Sequence, residues 1–131
     1  MIEWTEARLK AFIQSTLRKA FSRYPPKYKV LKEACIGKRQ NKATGRMAYH
    51  YKCAKCRKVF PSIDVQVDHK ITAIDIEKGF TSWDDYIARL FCSSENLQVL
   101  CSNCHKQKTK GENEIRRTSR KNRKQNLQRP K

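Results

Sequence analysis

The sequence predicts an α+β chain in which N-terminal helices lead into a strand, a connection, a second strand and a helix, all arranged around four cysteines. Three observations predict it. Apolar residues recur at helical spacing through residues 1–36, short runs at 63–69 and 96–100 have strand character, and Cys53/Cys56 and Cys101/Cys104 repeat one CxxC spacing. The chain divides accordingly into a helical segment (1–36), a cysteine-bearing core (37–110) and a basic C-terminal tail (111–131).

The first helix is expected from Glu6 to Ser22, because Leu9, Phe12, Ile13, Leu17, Ala20 and Phe21 share one face, with Thr5 as N-cap. Tyr24-Pro25-Pro26 ends it, and Pro26 starts a short second helix whose Tyr28, Leu31, Ala34 and Cys35 lie together. Residues 37–46 are basic and polar with two glycines and read as a loop before a strand at Met47 to Lys52. Ile63, Val65 and Val67 alternate with Asp64, Gln66 and Asp68, which predicts a strand over 63–69. Thr81-Ser82-Trp83-Asp84 resembles a capped helix start, followed by Trp83, Ile87, Leu90 and Phe91 on one face. Asn96 to Leu100 is a second strand, and His105 to Lys110 opens a helix. After Gly111 the apolar periodicity is lost, so the tail has little to bury.

A chain of 131 residues buries only a modest core, so a metal staple would help it fold. Thirty Lys and Arg against twelve Asp and Glu give a net charge of +18, which calls for a polyanion as partner. Nucleic acid is the natural one. No apolar run approaches the roughly 20 residues that span a bilayer, and Met-Ile-Glu-Trp-Thr-Glu lacks the pattern of a secretory signal. An intracellular, cytoplasmic protein with no membrane partner is expected. The absence of a Gly-rich phosphate loop argues against nucleotide hydrolysis.

In a reducing compartment, paired CxxC spacings bind metal more often than they form disulfides. Each two-residue spacer lets both thiolates converge on a tetrahedral ion at about 2.3 Å, and zinc is the default ion for four cysteines. Cys53, Cys56, Cys101 and Cys104 are therefore expected to hold a structural Zn²⁺, with His50 as an alternative ligand and Cys35 and Cys92 as buried, unbridged thiols. Forty-four residues (57 to 100) separate the two pairs, against roughly 15 to 20 in a compact zinc ribbon. That insertion carries Asp68, His69 and Asn96, and His105 follows the last cysteine.

Val67-Asp68-His69-Lys70, then Glu95-Asn96-Leu97-Gln98-Val99-Leu100-Cys101, then Cys104-His105-Lys106-Gln107-Lys108-Thr109 resembles the HNH endonuclease signature over residues 50–110. The order, interleaved with cysteine pairs, is similar to the zinc-stabilised members of that family, many of them phage or homing enzymes. The resemblance implies a ββα-metal fold, a metal-dependent DNA endonuclease, His69 as general base, and Asp68 and His105 as ligands of a catalytic divalent ion. Asn96 takes the family's middle position, where a side-chain amide holds the loop and orients the base. The chemistry suits the residue types, because a neutral imidazole accepts a proton from water at cellular pH while a cation stabilises the departing oxyanion. A mixed carboxylate and imidazole pair accepts Mg²⁺ or Mn²⁺, the ions expected here, or a softer ion such as Ni²⁺ or Zn²⁺.

Taken singly, Asp68 reads as a solvated strand residue, His69 as a core-edge histidine, Asn96 as a turn residue and His105 as a spare histidine beside the zinc; only their joint order points to catalysis. Neighbours on a regular strand face opposite ways, so Asp68 and His69 can share a site only at a bend or strand end. Phosphate contacts are expected from Lys38, Arg39, Lys42, Arg46, Lys106, Lys108 and Lys110, and from Arg116, Arg117, Arg120, Lys121, Arg123 and Lys124 in the tail. A non-catalytic, zinc-stabilised nucleic-acid-binding module is the main alternative, and an RNA-processing nuclease a remoter one. One active site per chain suits a nicking monomer, while a homodimer would cut both strands.

Overall fold

Helix α1 (Glu6–Phe21) starts where the cap predicts, with the Thr5 hydroxyl accepting the Arg8 N–H at 3.2 Å. The structure, a computed structural model, describes residues 3–128, with side chains described through residue 125. Helix α2 (Pro25–Ala34) opens on two prolines, whose missing N–H groups cost nothing at a helix start.

A strand then follows at once, in place of the loop expected over 37–46. β1 (Cys35–Gln40) pairs antiparallel with β2 (Met47–Lys52), which also pairs with β3 (Val59–Pro61). Gly37, at φ 108°, absorbs a register shift between Cys35 and Gly37. Asn41 closes the turn: its side chain accepts the Ala43 N–H at 3.0 Å and its carbonyl accepts the Gly45 N–H at 2.7 Å. β1 escapes sequence reading because only Cys35 and Gly37 on it are even half-buried, so no apolar alternation marks it.

A second, two-stranded antiparallel sheet joins β4 (Val65–His69) to β5 (Leu97–Cys101), in register from Val65 opposite Cys101 to His69 opposite Leu97. β4 begins two residues later than the alternation predicts; Ser62–Asp64 form a 3₁₀ turn instead, and Ile63 is 74% exposed. Between the strands lies α3 (Trp83–Leu90), capped by Ser82, which accepts the Asp85 N–H at 3.1 Å. This helix buries Tyr86 and Leu90, and leaves Ile87, expected on its inner face, exposed. Tyr86 is tolerated inside because its hydroxyl has partners on α1: Arg18 Nε donates to it at 3.2 Å and it donates to the Gln14 carbonyl at 3.4 Å.

β5 is the strand around which both hydrophobic clusters form. Leu97 and Val99 pack with Val30 of α2, with Phe21, Tyr51 and Val67 around them. Leu100 and Cys101 pack with Cys53, Cys104 and Phe60. The N-terminal helices thus share the core with the strands. Among the described residues no helix is long and apolar enough to cross a membrane.

The largest departure from expectation is α4 (Ser102–Gln128), which runs without a break through Gly111 and most of the supposed irregular tail. The residues 129–131 lie outside those described. Apolar periodicity fails to reveal this helix because little of it is buried. Strong helix formers and pairs such as Lys108 with Glu112, at 2.8 Å, support it instead. A Cβ at Gly111 would meet nothing within 4 Å. Gly111→Ala should therefore raise helicity and stabilise the fold by about 0.5–1 kcal/mol. Circular dichroism and denaturant unfolding check this, and no gain in either would mean the helix is broken there.

Candidate functional site

The four cysteines come together from two distant stretches. Cys53 and Cys56 lie in the turn between β2 and β3, Cys101 ends β5, and Cys104 lies in the first turn of α4. Arg57, the only non-glycine with positive φ among the described residues (64°), lets that turn fold back so that Cys53 N–H reaches the Lys58 carbonyl at 2.9 Å. Ala54 N–H bonds the Val99 carbonyl at 2.8 Å and ties the turn to β5.

All four sulfurs lie within 4.8 Å of one another, with Cys56 Sγ and Cys101 Sγ 4.0 Å apart. A tetrahedral zinc at its usual bond length needs sulfur separations of about 3.8 Å, so the donor set and spacing fit and the cluster can hold a metal ion. Burial pushes the Cys53 thiol up, but the backbone N–H groups of Cys101, Cys56 and Lys55 outweigh it and bring it down to about 6. Its neighbour Cys104 is pushed up to about 12 by its hydrogen bond with Cys101, by burial and by Cys53 and Cys56. The cluster therefore retains thiol protons at neutral pH, which a cation must displace. His50 is not among these ligands; it is buried in β2, its Nδ1 2.9 Å from the Ala48 carbonyl. Cys35 and Cys92 are half-buried free thiols.

The second constellation lines one cavity. Val67, Asp68 and His69, three consecutive residues of β4, all reach it, together with His105 and Glu112 of α4 and Arg18 and Phe21 of α1. β4 is paired on one side only and ends at His69, so residues from both faces flank its open edge. That resolves the difficulty posed by adjacent strand residues.

His69 Nε2 lies 2.8 Å from the Leu90 carbonyl. A carbonyl only accepts, so Nε2–H is the donor, which makes Nδ1 the acceptor nitrogen in the neutral tautomer. The Phe21 ring packs over the imidazole with centroids 4.8 Å apart.

Asp68 presents its two oxygens differently. Oδ2 accepts from Gln98 Nε2 at 3.2 Å and from the Lys108 ammonium at 3.1 Å, while Oδ1 faces His105 Nε2 at 3.7 Å. Two ligands about 2.1 Å from a shared ion stand about 3.0–3.4 Å apart, so this pair needs to close by only a few tenths of an ångström. Glu112 brings a second carboxylate to the cavity, where the Lys108 ammonium pairs with both acids and the Arg18 and Arg116 guanidinium groups line the wall.

Lys108, expected to contact phosphate, is instead drawn inward, where it donates to Asp68, to Glu112 at 2.8 Å and to the His69 carbonyl at 3.0 Å. Burial alone would push the ammonium down, yet the hydrogen bonds to Glu112 and Asp68 hold it above the usual lysine range. Asn96, grouped with the catalytic residues by sequence, does not line the cavity. Its amide accepts from Ile71 N–H at 2.9 Å and donates to the Ile71 carbonyl at 3.1 Å, which pins the chain just after His69.

The remaining basic residues named from sequence fall on three surfaces. Lys38, Arg39, Lys42 and Arg46 are exposed on the β1–β2 hairpin; Lys106, Lys110, Arg117, Arg120, Lys121 and Lys124 are exposed along α4; Arg116 lines the cavity. Arg123 is bonded to the Glu77 carbonyl. Phe21, named from sequence only as part of the apolar face of α1, Arg18 and Glu112 are not among the site residues expected from sequence. The first two lie far from the motif in the chain, and Glu112 resembles half of a solvated helical ion pair. No protein-family model, curated protein or solved structure matches this chain.

One zinc per chain is expected by elemental analysis, absent in Cys53→Ser and kept in Cys35→Ser. Because uptake displaces thiol protons, the apparent affinity should fall as pH is lowered. A chelator titration followed across pH measures it; pH-independent affinity would exclude the cysteine site.

Proposed function

We propose that the chain is a metal-dependent DNA endonuclease of the HNH type, hydrolysing phosphodiester bonds, with β4, β5 and α4 as its ββα unit and the four cysteines as a structural zinc site. One observation carries this reading: the adjacent Asp68 and His69 and the distant His105 line a single cavity, and His69 has its Nε2 bonded to the Leu90 carbonyl, which leaves Nδ1 as its acceptor nitrogen.

His69 accepts the proton of the attacking water at Nδ1. The Leu90 carbonyl already holds Nε2–H, so the imidazolium formed has one N–H satisfied and the ring keeps its orientation. Phe21 covers one side of the ring and limits its motion. Asp68 and His105 would hold the divalent ion, Mg²⁺ or Mn²⁺ before Ni²⁺ or Zn²⁺, and the ion supplies charge stabilisation to the phosphate and the departing 3′-oxygen. Lys108 and Gln98 fix the Asp68 carboxylate so that Oδ1 faces His105. Asn96 acts as a positioning residue through the Ile71 loop. Arg18 and Arg116 at the cavity wall neutralise phosphate.

The competing reading, a non-catalytic zinc-stabilised nucleic-acid-binding module, draws on one feature: Asp68 is paired with Lys108 and Gln98, as a purely structural carboxylate would be. Plasmid nicking separates the two. With Mg²⁺ or Mn²⁺ the wild-type chain should convert supercoiled to nicked or linear DNA, and His69→Ala should lower the rate by about 10²–10⁴-fold with DNA binding and zinc content unchanged. Equal rates in both proteins would remove His69 as the base, and no cleavage by either would favour the binding module.

A further inference from the structure

The candidate catalytic cavity does not end at Arg18 and Arg116. Both residues, with Ile74, also line a second cleft of about 390 Å³ between α1 and α4, floored by the 74–80 segment. Its charge is one-sided. Lys10 and Arg18 come from α1, and Arg116, Arg120 and Arg123 from α4. The one carboxylate in its wall, Asp75, is already engaged: it accepts the backbone N–H groups of Glu77 and Lys78, both at 2.8 Å, and pairs with Arg89 at 3.4 Å. The backbone N–H groups of Lys78 and Glu77 hold its carboxyl below the usual carboxylate range.

The cleft also contains an aromatic platform. Phe80 lines it, braced edge-on by Trp83 with centroids 4.9 Å apart, and the Lys10 ammonium sits over the Phe80 ring at 3.9 Å. A ring that attracts a cation also accepts a base, and Lys10 is long enough to swing from the ring to a phosphate. Cationic walls that follow a backbone, together with an aromatic face for a base, are the physical requirements for holding single-stranded nucleic acid. The volume lies near the lower end of the range of pockets that enclose small ligands. It admits a nucleotide or two of single strand, and no duplex.

We infer that the α1–α4 cleft is a single-strand path leading out of the catalytic cavity, in which phosphates meet Arg18, Arg116, Arg120 and Arg123 and a base stacks on Phe80. The inference rests on the nuclease reading only for what lies at the inner end of the path. It assigns the enzyme a substrate shape: duplex with an unpaired strand beside the scissile phosphate, such as a flap or branch.

The test uses the full, zinc-loaded chain carrying His69→Ala, so that binding is read without cleavage, with labelled twelve-nucleotide oligo-dT, oligo-U and a duplex of equal length in fluorescence anisotropy. Phe80→Ala should weaken binding of a single strand by about 5- to 150-fold, the range of one lost base stack, with less than twofold change for duplex. Phe80→Tyr should restore it. Because Phe80 also packs on Trp83, Arg120→Glu at an exposed position provides a second reading free of folding effects, and should likewise weaken the single strand more than the duplex. Oligo-dT and oligo-U report whether the path prefers DNA or RNA; binding of either that depends on Phe80 and Arg120 supports it. If Phe80→Ala and Arg120→Glu alter single-strand and duplex binding equally, or not at all, the path is excluded. The two readings fail separately. A chain that nicks plasmid but shows no Phe80 dependence loses only the path, whereas a chain that cuts no DNA but binds single strands through Phe80 loses only the nuclease.

Discussion

The four-cysteine cluster ties together the elements that line the candidate site, because it joins the turn between β2 and β3 to the junction of β5 and α4. Cys101 is the last residue of β5 and Cys104 lies in the first turn of α4. A metal ion shared with Cys53 and Cys56 would fix both the end of that strand and the start of that helix. His105 is the next residue along, so its approach to Asp68 is decided by the cluster. Such a clamp can contribute on the order of 10 kcal/mol to folding, which is large beside the few fully buried side chains, chiefly Tyr86, Leu100 and Cys53. The bond from Ala54 N–H to the Val99 carbonyl extends the clamp to the middle of β5, opposite Val67.

Around that frame, the cavity is assembled from β4, α1, α3 and α4, each of which contributes to its wall. β4 brings Asp68 and His69 to its open edge. α3 ends so that the Leu90 carbonyl meets the imidazole, α1 supplies Phe21 beside it, and α4 supplies His105 with the Lys108–Glu112 pair behind the aspartate. The Tyr86 hydroxyl, bonded to both Arg18 and Gln14 of α1, couples the position of α1 to that of α3. Helix α1 is thus part of the candidate site.

How far the sequence reveals this depends on whether the information is local. Thr5, the double proline, Ser82 and the CxxC spacing act within a few residues of themselves, and α1, α2, α3 and the cysteine cluster follow from them. The order of Asp68, His69 and His105 was legible as a motif, and their common cavity follows from the strand end at His69. What was hidden depends on partners distant in sequence or on exposed surface. β1 is a strand because β2 pairs with it, not because its side chains alternate. The far half of α4 is helical with little apolar face to announce it. Lys108 looked like one more basic residue, since only the fold shows Asp68 and Glu112 on either side of its ammonium.

Two metals with different ligands are central to this picture, and anomalous X-ray scattering from crystals grown with zinc and Mn²⁺ tests both together. The expected result is a zinc peak enclosed by Cys53, Cys56, Cys101 and Cys104 and a separate manganese peak between Asp68 Oδ1 and His105 Nε2, with His69 Nδ1 facing it but not bound. A single peak at the cysteines, or manganese held away from Asp68 Oδ1 and His105 Nε2, would contradict it.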